Sequence, residues 1–146
     1  SNFDPDRLID LIEFNQVAPA VNQIETHLLC QRRTEHEWME KYHVRHMAYA
    51  PLGQGRKNEM FENPALVEIA RAHGKTSAQV ALRFLMQSGV VVIPKSVHKG
   101  HIKENFDIFD FELTADEMAQ LVKMDTAVPM IGNPENPAVV EVAMKW

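Results

Sequence analysis

The chain has a single cysteine, Cys30, so it can form neither an internal disulfide nor a multi-cysteine zinc site. Cys30 follows Leu28 and Leu29, a setting that suits a buried core thiol better than a reactive one. No apolar run approaches the ~20 residues a membrane span needs, so a membrane partner is not expected. Basic charge is scarce too: 15 Lys and Arg face 20 Asp and Glu, a formal charge of -5. Nucleic-acid binding draws on clustered cations, so nucleic acid is not the expected partner either. The chain lacks a His-Glu-x-x-His pair, a Gly-x-Ser-x-Gly elbow, a Walker loop and a plausible Cys–His pair. His43 and His46 are three apart, but a strand is expected to begin between them, so no metal site is expected. The chain starts at Ser1 without a leader, which carries no information if the parent protein is longer. Cysteine poverty fits a cytoplasmic location.

What is present is ordinary for a soluble domain: 146 residues, 45% hydrophobic and 24% charged. That length supports one domain with a moderate core. Asp4-Pro5 opens a helix that runs to about Phe14. Residues 20–24 read as a strand, followed by a Thr34–Glu37 capping box that opens a helix to about His43. Residues 44–50 form the next strand and lead into a Gly-rich loop, residues 51–55. Asn63-Pro64 starts a helix stopped by Gly74, and Thr76 or Ser77 starts another stopped by Gly89. The β-branched run at residues 90–93 carries the pattern of a strand buried on both faces. A short helix is expected near residues 102–106, and a Thr114–Glu117 capping box opens one to about Met124. From Ala127 to Trp146 the chain reads as irregular and Pro-rich, apart from a weak apolar run at residues 138–144.

Strands alternating with helices imply an α/β fold with a parallel sheet, whose ligands sit at the C-terminal ends of the strands. Three strands, with Ser1-Asn2-Phe3 as the tail of a fourth, are about half of an eight-unit barrel of about 250 residues. Those strand ends carry Ser1 and Asn2, Asn22 and Gln23, Tyr49 with the Gly-rich loop, and Lys95 with Ser96. Amides, hydroxyls, an aromatic face and one ammonium suit a neutral amide, a flat ring and an anion, the parts of a nicotinamide dinucleotide. Loop-facing residues with no ligand would give the same pattern. Lys95, Lys99, His101 and Lys103 also gather positive charge around an expected helix start, where phosphate binding has a clear cause. A solvated surface charge run is the alternative.

Several segments then fall into a known order. They are Ser1-Asn2-Phe3, Val21-Asn22-Gln23-Ile24-Glu25, Ala48-Tyr49-Ala50-Pro51-Leu52-Gly53, Ile93-Pro94-Lys95-Ser96-Val97 and Glu104-Asn105-Phe106, then Phe109-Asp110-Phe111-Glu112-Leu113. This series resembles the aldo-keto reductase family from residue 1 to about residue 125. The resemblance implies the C-terminal half of a (β/α)8 TIM barrel, residues 1–125, with residues 126–146 as a tail near the substrate pocket. It implies reduction of aldehydes and ketones with NADP(H), a small carbonyl substrate, and a monomer once the N-terminal half of the barrel is present. Ser1, Asn2 and Gln23 would bond the nicotinamide carboxamide, with Tyr49 stacked on the ring. Leu52 and Gly53 would line the pyrophosphate. Lys95, Ser96 and Val97 would hold the 2′-phosphate and ribose, with Glu104 and Asn105 near the adenine. The family usually places an arginine where this chain has His101, so a titratable group replaces a permanent cation. The family's catalytic Asp, Tyr, Lys and His motifs have no match in residues 1–146, so no catalytic residue is expected here. Two other readings stay open: a non-catalytic regulatory or dinucleotide-binding protein of the same fold, and a half-barrel that dimerises to cover the edge of the 90–93 strand.

Overall fold

Three strands pair in parallel and in chain order: β1 (Val21–Glu25), β2 (Arg45–Tyr49) and β3 (Val91–Val92). This computed structural model describes residues 1–54, 57–133 and 136–143. Gly55 of the Gly-rich loop, and Pro134, Met144 and Trp146 of the tail, lie outside the described residues. Eight helices are described: α1 (Pro5–Glu13), α2 (Arg33–Lys41), α3 (Lys57–Phe61), α4 (Pro64–His73), α5 (Ser77–Gln87), α6 (Lys99–Phe106), α7 (Ala115–Val122) and α8 (Pro137–Ala143). None of them is long and apolar enough to cross a membrane.

Strand alternation decides which side the helices take. Ile24 and Ala48 point to the packed face. Ile24 joins Leu8, Met39 and Val44 under α1 and α2, while Ala48 joins Val80, Ala81, Phe84, Leu85 and Val90 under α5. Val21, Val91 and Ile93 belong to the opposite row and stay 42%, 39% and 42% exposed. The sheet is therefore covered on one side and open on the other. That corrects the reading of residues 90–93 as a strand buried on both faces. Only Val91 and Val92 pair, although the Ile93 amide still reaches the Ala48 carbonyl at 3.4 Å. Among the described residues β3 has β2 as its one neighbour, and a β-branched run says nothing about what lies over its second face.

The cap signals divide instructively. The Thr76 box closes through Gln79, and the Thr114 box through Glu117. The expected Thr34–Glu37 box does not form, because α2 begins earlier, behind Arg32 in the left-handed region at φ 51. Arg32 is held there by its own contacts: its guanidinium meets Glu35 at 2.9 Å and the Glu25 carbonyl at 3.4 Å. Asp4 stands at the N-cap of α1 without a side-chain cap bond. Helix α3 and helix α8 were not expected. Helix α3 places Met60 fully in the core, and α8 opens on Asn136, whose side chain accepts from the Ala138 amide at 3.0 Å.

Candidate functional site

The loops at the C-terminal ends of β2 and β3 enclose a cleft. After β2 the backbone turns sharply: Ala50 has φ 49, Gly53 has φ 65, and the Gly53 amide donates to the Ala50 carbonyl at 3.0 Å. A positive φ suits glycine, as at Gly53, and brings the chain sharply round beside the neighbouring strand end. After β3, Pro94-Lys95-Ser96 leads into α6. The Ser96 hydroxyl accepts from the His98 amide at 3.1 Å, which fixes the approach to the helix. His98 is the N-cap of α6 and makes no side-chain cap bond, so the first-turn amides remain available to an anion.

Between these loops, the start of α5 and the inner side of α6 lies a cavity of about 890 Å³. Seven of the residues singled out from the sequence line it: Leu52 and Gly53 from the turn, Lys95 and Ser96 from the β3 end, and His101, Glu104 and Asn105 from α6. Asn58, Thr76 and Ser77 add neutral hydrogen-bonding groups on the far wall. Among the described residues the cavity thus offers one ammonium, one imidazole, a glycine turn and a helix start, with Glu104 as the carboxylate.

The other five candidates lie elsewhere. Gln23 and Tyr49 sit on the open face of the sheet, because the register pairs Gln23 with Met47 and Glu25 with Tyr49. The Gln23 amide nitrogen lies 3.2 Å from the Met47 sulfur. Burial raises the Tyr49 phenol above its ordinary pKa; the Glu25 carboxylate pushes the same way and Arg32 opposes both. Ser1 and Asn2 are exposed and belong to no strand, so the expected tail of a fourth strand does not form, although the Asn2 amide donates to the Gln23 carbonyl at 2.9 Å beside β1. Val97 is 73% exposed and outside the cavity lining.

Two buried polar networks escaped the sequence reading. His27 is fully buried beside Glu25, its Nε2 at 3.1 Å from the carboxylate. Its Nδ1 accepts from the Leu29 amide at 3.2 Å, so Nε2 carries the hydrogen. Burial lowers the His27 pKa, against the hydrogen bond His27 donates to the Glu25 carboxylate, which raises it. The second network links His36, His46 and Thr26: His46 Nε2 lies 2.8 Å from the Thr26 hydroxyl, and burial pushes its pKa down to about 3. The one signal for the first was the Glu25-Thr26-His27 run at a strand end, where three polar residues together are unusual for a core. Cys30 is a buried thiol, as its neighbours implied, and burial pushes its pKa up to about 11. Among the described residues no three His, Cys, Asp or Glu side chains gather to hold a metal ion.

The family model described as "Aldo/keto reductase family" matches residues 1–126. The chain belongs to the aldo/keto reductase family. The chain is 41% identical over 136 residues to a 9,11-endoperoxide prostaglandin H2 reductase of Trypanosoma cruzi, covering 93% of this chain and 48% of that protein. With the methylglyoxal reductase DkgA of Escherichia coli K12 it shares 41% identity over 124 residues, 85% of this chain and 45% of the relative. It therefore spans about half the length of these relatives. Its fold superposes with TM-score 0.90 on MGS-M4, an aldo-keto reductase from a deep-sea metagenome library, at 35% identity, covering 92% of this chain and 50% of that one. A Gox0644 variant in complex with NADPH matches with TM-score 0.82 at 38% identity, over 90% of this aldo/keto reductase chain and 47% of its own. With these aldo/keto reductase fold neighbours, the three-stranded parallel sheet is consistent with part of a barrel.

Proposed function

We propose that this chain is the C-terminal, cofactor-binding half of a (β/α)8 barrel that reduces aldehydes and ketones with NADPH. Residues 1–125 carry the cofactor site, and residues 126–146 form a tail near the substrate. The observation that supports this most is the cavity itself, which draws Gly53, Lys95, Ser96 and His101 together from separate loops.

The residues fit a phosphorylated dinucleotide. The Ala50–Gly53 turn lines the cavity, and its tight backbone, closed by the Gly53 amide on the Ala50 carbonyl, leaves room for a pyrophosphate beside it. Lys95 supplies a point charge and α6 its N-terminus, which suit an added phosphate at the adenosine end. Glu104 and Asn105 supply acceptors and donors for an adenine edge. Gln23 and Tyr49, on the open face, are set to hold the carboxamide and one face of the nicotinamide ring, with Ser1 and Asn2 alongside. Val97, exposed just beyond the cavity lining, would border the ribose only from outside. When bound, NADPH supplies the hydride. This chain's own part is to orient the ring and hold the phosphates, while the proton donor, the carbonyl substrate's main contacts and the rest of the barrel come from an N-terminal half.

The test is a titration of the 146-residue chain with NADPH, followed by nicotinamide fluorescence and by competition with adenosine 2′,5′-bisphosphate. Saturable binding displaced by the bisphosphate is expected. No binding at millimolar nucleotide would refute the assignment.

A further inference from the structure

Glu25 ends β1 with its side chain 1% exposed. A buried carboxylate needs several donors to offset its lost hydration. Among the described residues its side chain has no Lys or Arg as a hydrogen-bond partner, since the Arg32 guanidinium goes to the Glu25 backbone carbonyl and to Glu35. The donors are neutral: His27 Nε2 at 3.1 Å, and the backbone amides of Met130 and Ile131, the latter at 3.1 Å from Oε2. Two of these three donors therefore come from a segment more than a hundred residues further along the chain. The same segment is stitched to the loop after β1 at Thr126, whose amide and hydroxyl donate to the Leu29 carbonyl at 2.9 and 2.7 Å.

Glu25 also faces the ligand end. It is the register partner of Tyr49, and the Thr26 amide donates to the Tyr49 carbonyl at 3.3 Å. Of the two strap residues it holds, Met130 packs against the main core and Ile131 remains 46% exposed.

We propose that Glu25 is the positioning residue that clamps residues 128–131 across the end of β1, fixing the wall beside Tyr49 against which the nicotinamide end of the dinucleotide rests. The inference rests on the dinucleotide reading above, and it assigns the strap to one end of the ligand only. The Lys95 cavity, two strands away, binds the adenosine phosphate without it.

The experiment compares two ligands in the full chain. In Glu25→Gln the dissociation constant for NADPH rises about tenfold, the loss of one charge-assisted hydrogen bond, while that for adenosine 2′,5′-bisphosphate stays within about twofold. Amide exchange at Met130 and Ile131 accelerates, and exchange at Ile24 and Ala48 does not. If Glu25→Gln fails to fold, Ile131→Pro removes a donor from the tail side and should give the same split. Equal weakening of both ligands, or no change in either, overturns the proposal while leaving the dinucleotide reading intact. An unaltered chain that binds neither ligand removes both.

Discussion

The imidazoles of His36 and His46 meet nitrogen to nitrogen, Nδ1 to Nδ1 at 3.1 Å, so one ring must donate and the other accept. His46 is 2% exposed and His36 opens toward Glu40, whose carboxylate lies 3.5 Å from His36 Nε2. Burial pushes the His46 pKa down to about 3, and the neighbouring His36 and Arg32 push the same way.

Acid should therefore destabilise the fold before the carboxylates titrate. His46 is at about 3 in the fold against an ordinary 6.5, and His27 is lowered in the same direction. Both are neutral when folded and take up protons when unfolded. Their contribution is complete above pH 6.5 and is lost as pH falls toward the folded values. Each proton contributes a slope of up to about 1.4 kcal/mol per pH unit. Asp110, held low by Lys75, and Glu117, held low by Thr114 and His73 against its burial, lose their contributions only below their ordinary values of 3.8 and 4.5. Urea midpoints measured between pH 7 and 5 isolate the histidines. A flat profile in that window would show that the rings are not buried as described.

Lys95→Met should weaken NADPH binding by about 1–3 kcal/mol, the scale of a charge-assisted hydrogen bond, with little effect on NADH. Lys95 is exposed at the mouth of the cavity, so its loss removes charge without opening the core. Parallel titrations with the two nucleotides check this. Equal losses would mean that Lys95 does not meet the phosphate that distinguishes them.

How much of this could be read beforehand follows from the range of each interaction. The Thr76 and Thr114 caps involve residues three apart and were legible, as was the strand at Val21–Glu25. Thr34 failed because Arg32 answers to Glu25, seven residues back. Asn136-Pro137 has the same form as Asn63-Pro64, so α8 was legible in principle and was masked by the prolines around it. At the site, Lys95, Ser96 and the Leu52–Gly53 loop were legible at strand ends and His101 in a charge cluster, whereas Glu104 and Asn105 on α6 were indicated only by the family resemblance. Glu25 was not legible, because Met130 and Ile131, whose amides donate to its carboxylate, are brought near only by the tertiary fold.

Gln87 should prove a larger stability determinant than its polarity suggests. Its Oε1 accepts from Arg83 Nε and from the Leu113 amide, both at 2.7 Å, and its Nε2 donates to the Leu113 carbonyl at 3.1 Å. One side chain thus ties α5 to the segment before α7 and orients Arg83, which is 8% exposed. Gln87→Ala strands all three groups and should cost about 2–3 kcal/mol in denaturant unfolding. A cost below about half of one kcal/mol would mean that water replaces the amide without penalty.

The chain alone should bind the nucleotide and still not oxidise it in the presence of an aldehyde. Carbonyl reduction needs an acid beside the reacting oxygen, and the chain has two tyrosines, Tyr42 and Tyr49. Tyr42 caps α2, stacks on Trp38 at 6.3 Å and packs with Leu8 and Ile24, on the helix-covered face of the sheet. Tyr49 lies on the open face, but burial and the Glu25 carboxylate raise its pKa, which makes the phenol a weaker proton donor, and in the proposed complex its face holds the ring. His27 and His46 are both held neutral in the interior, and Cys30 is a buried thiol pushed up to about 11. Absorbance of NADPH followed with purified chain and methylglyoxal should stay at the buffer rate. Oxidation proportional to the concentration of this polypeptide would show that a donor on these residues completes the reaction.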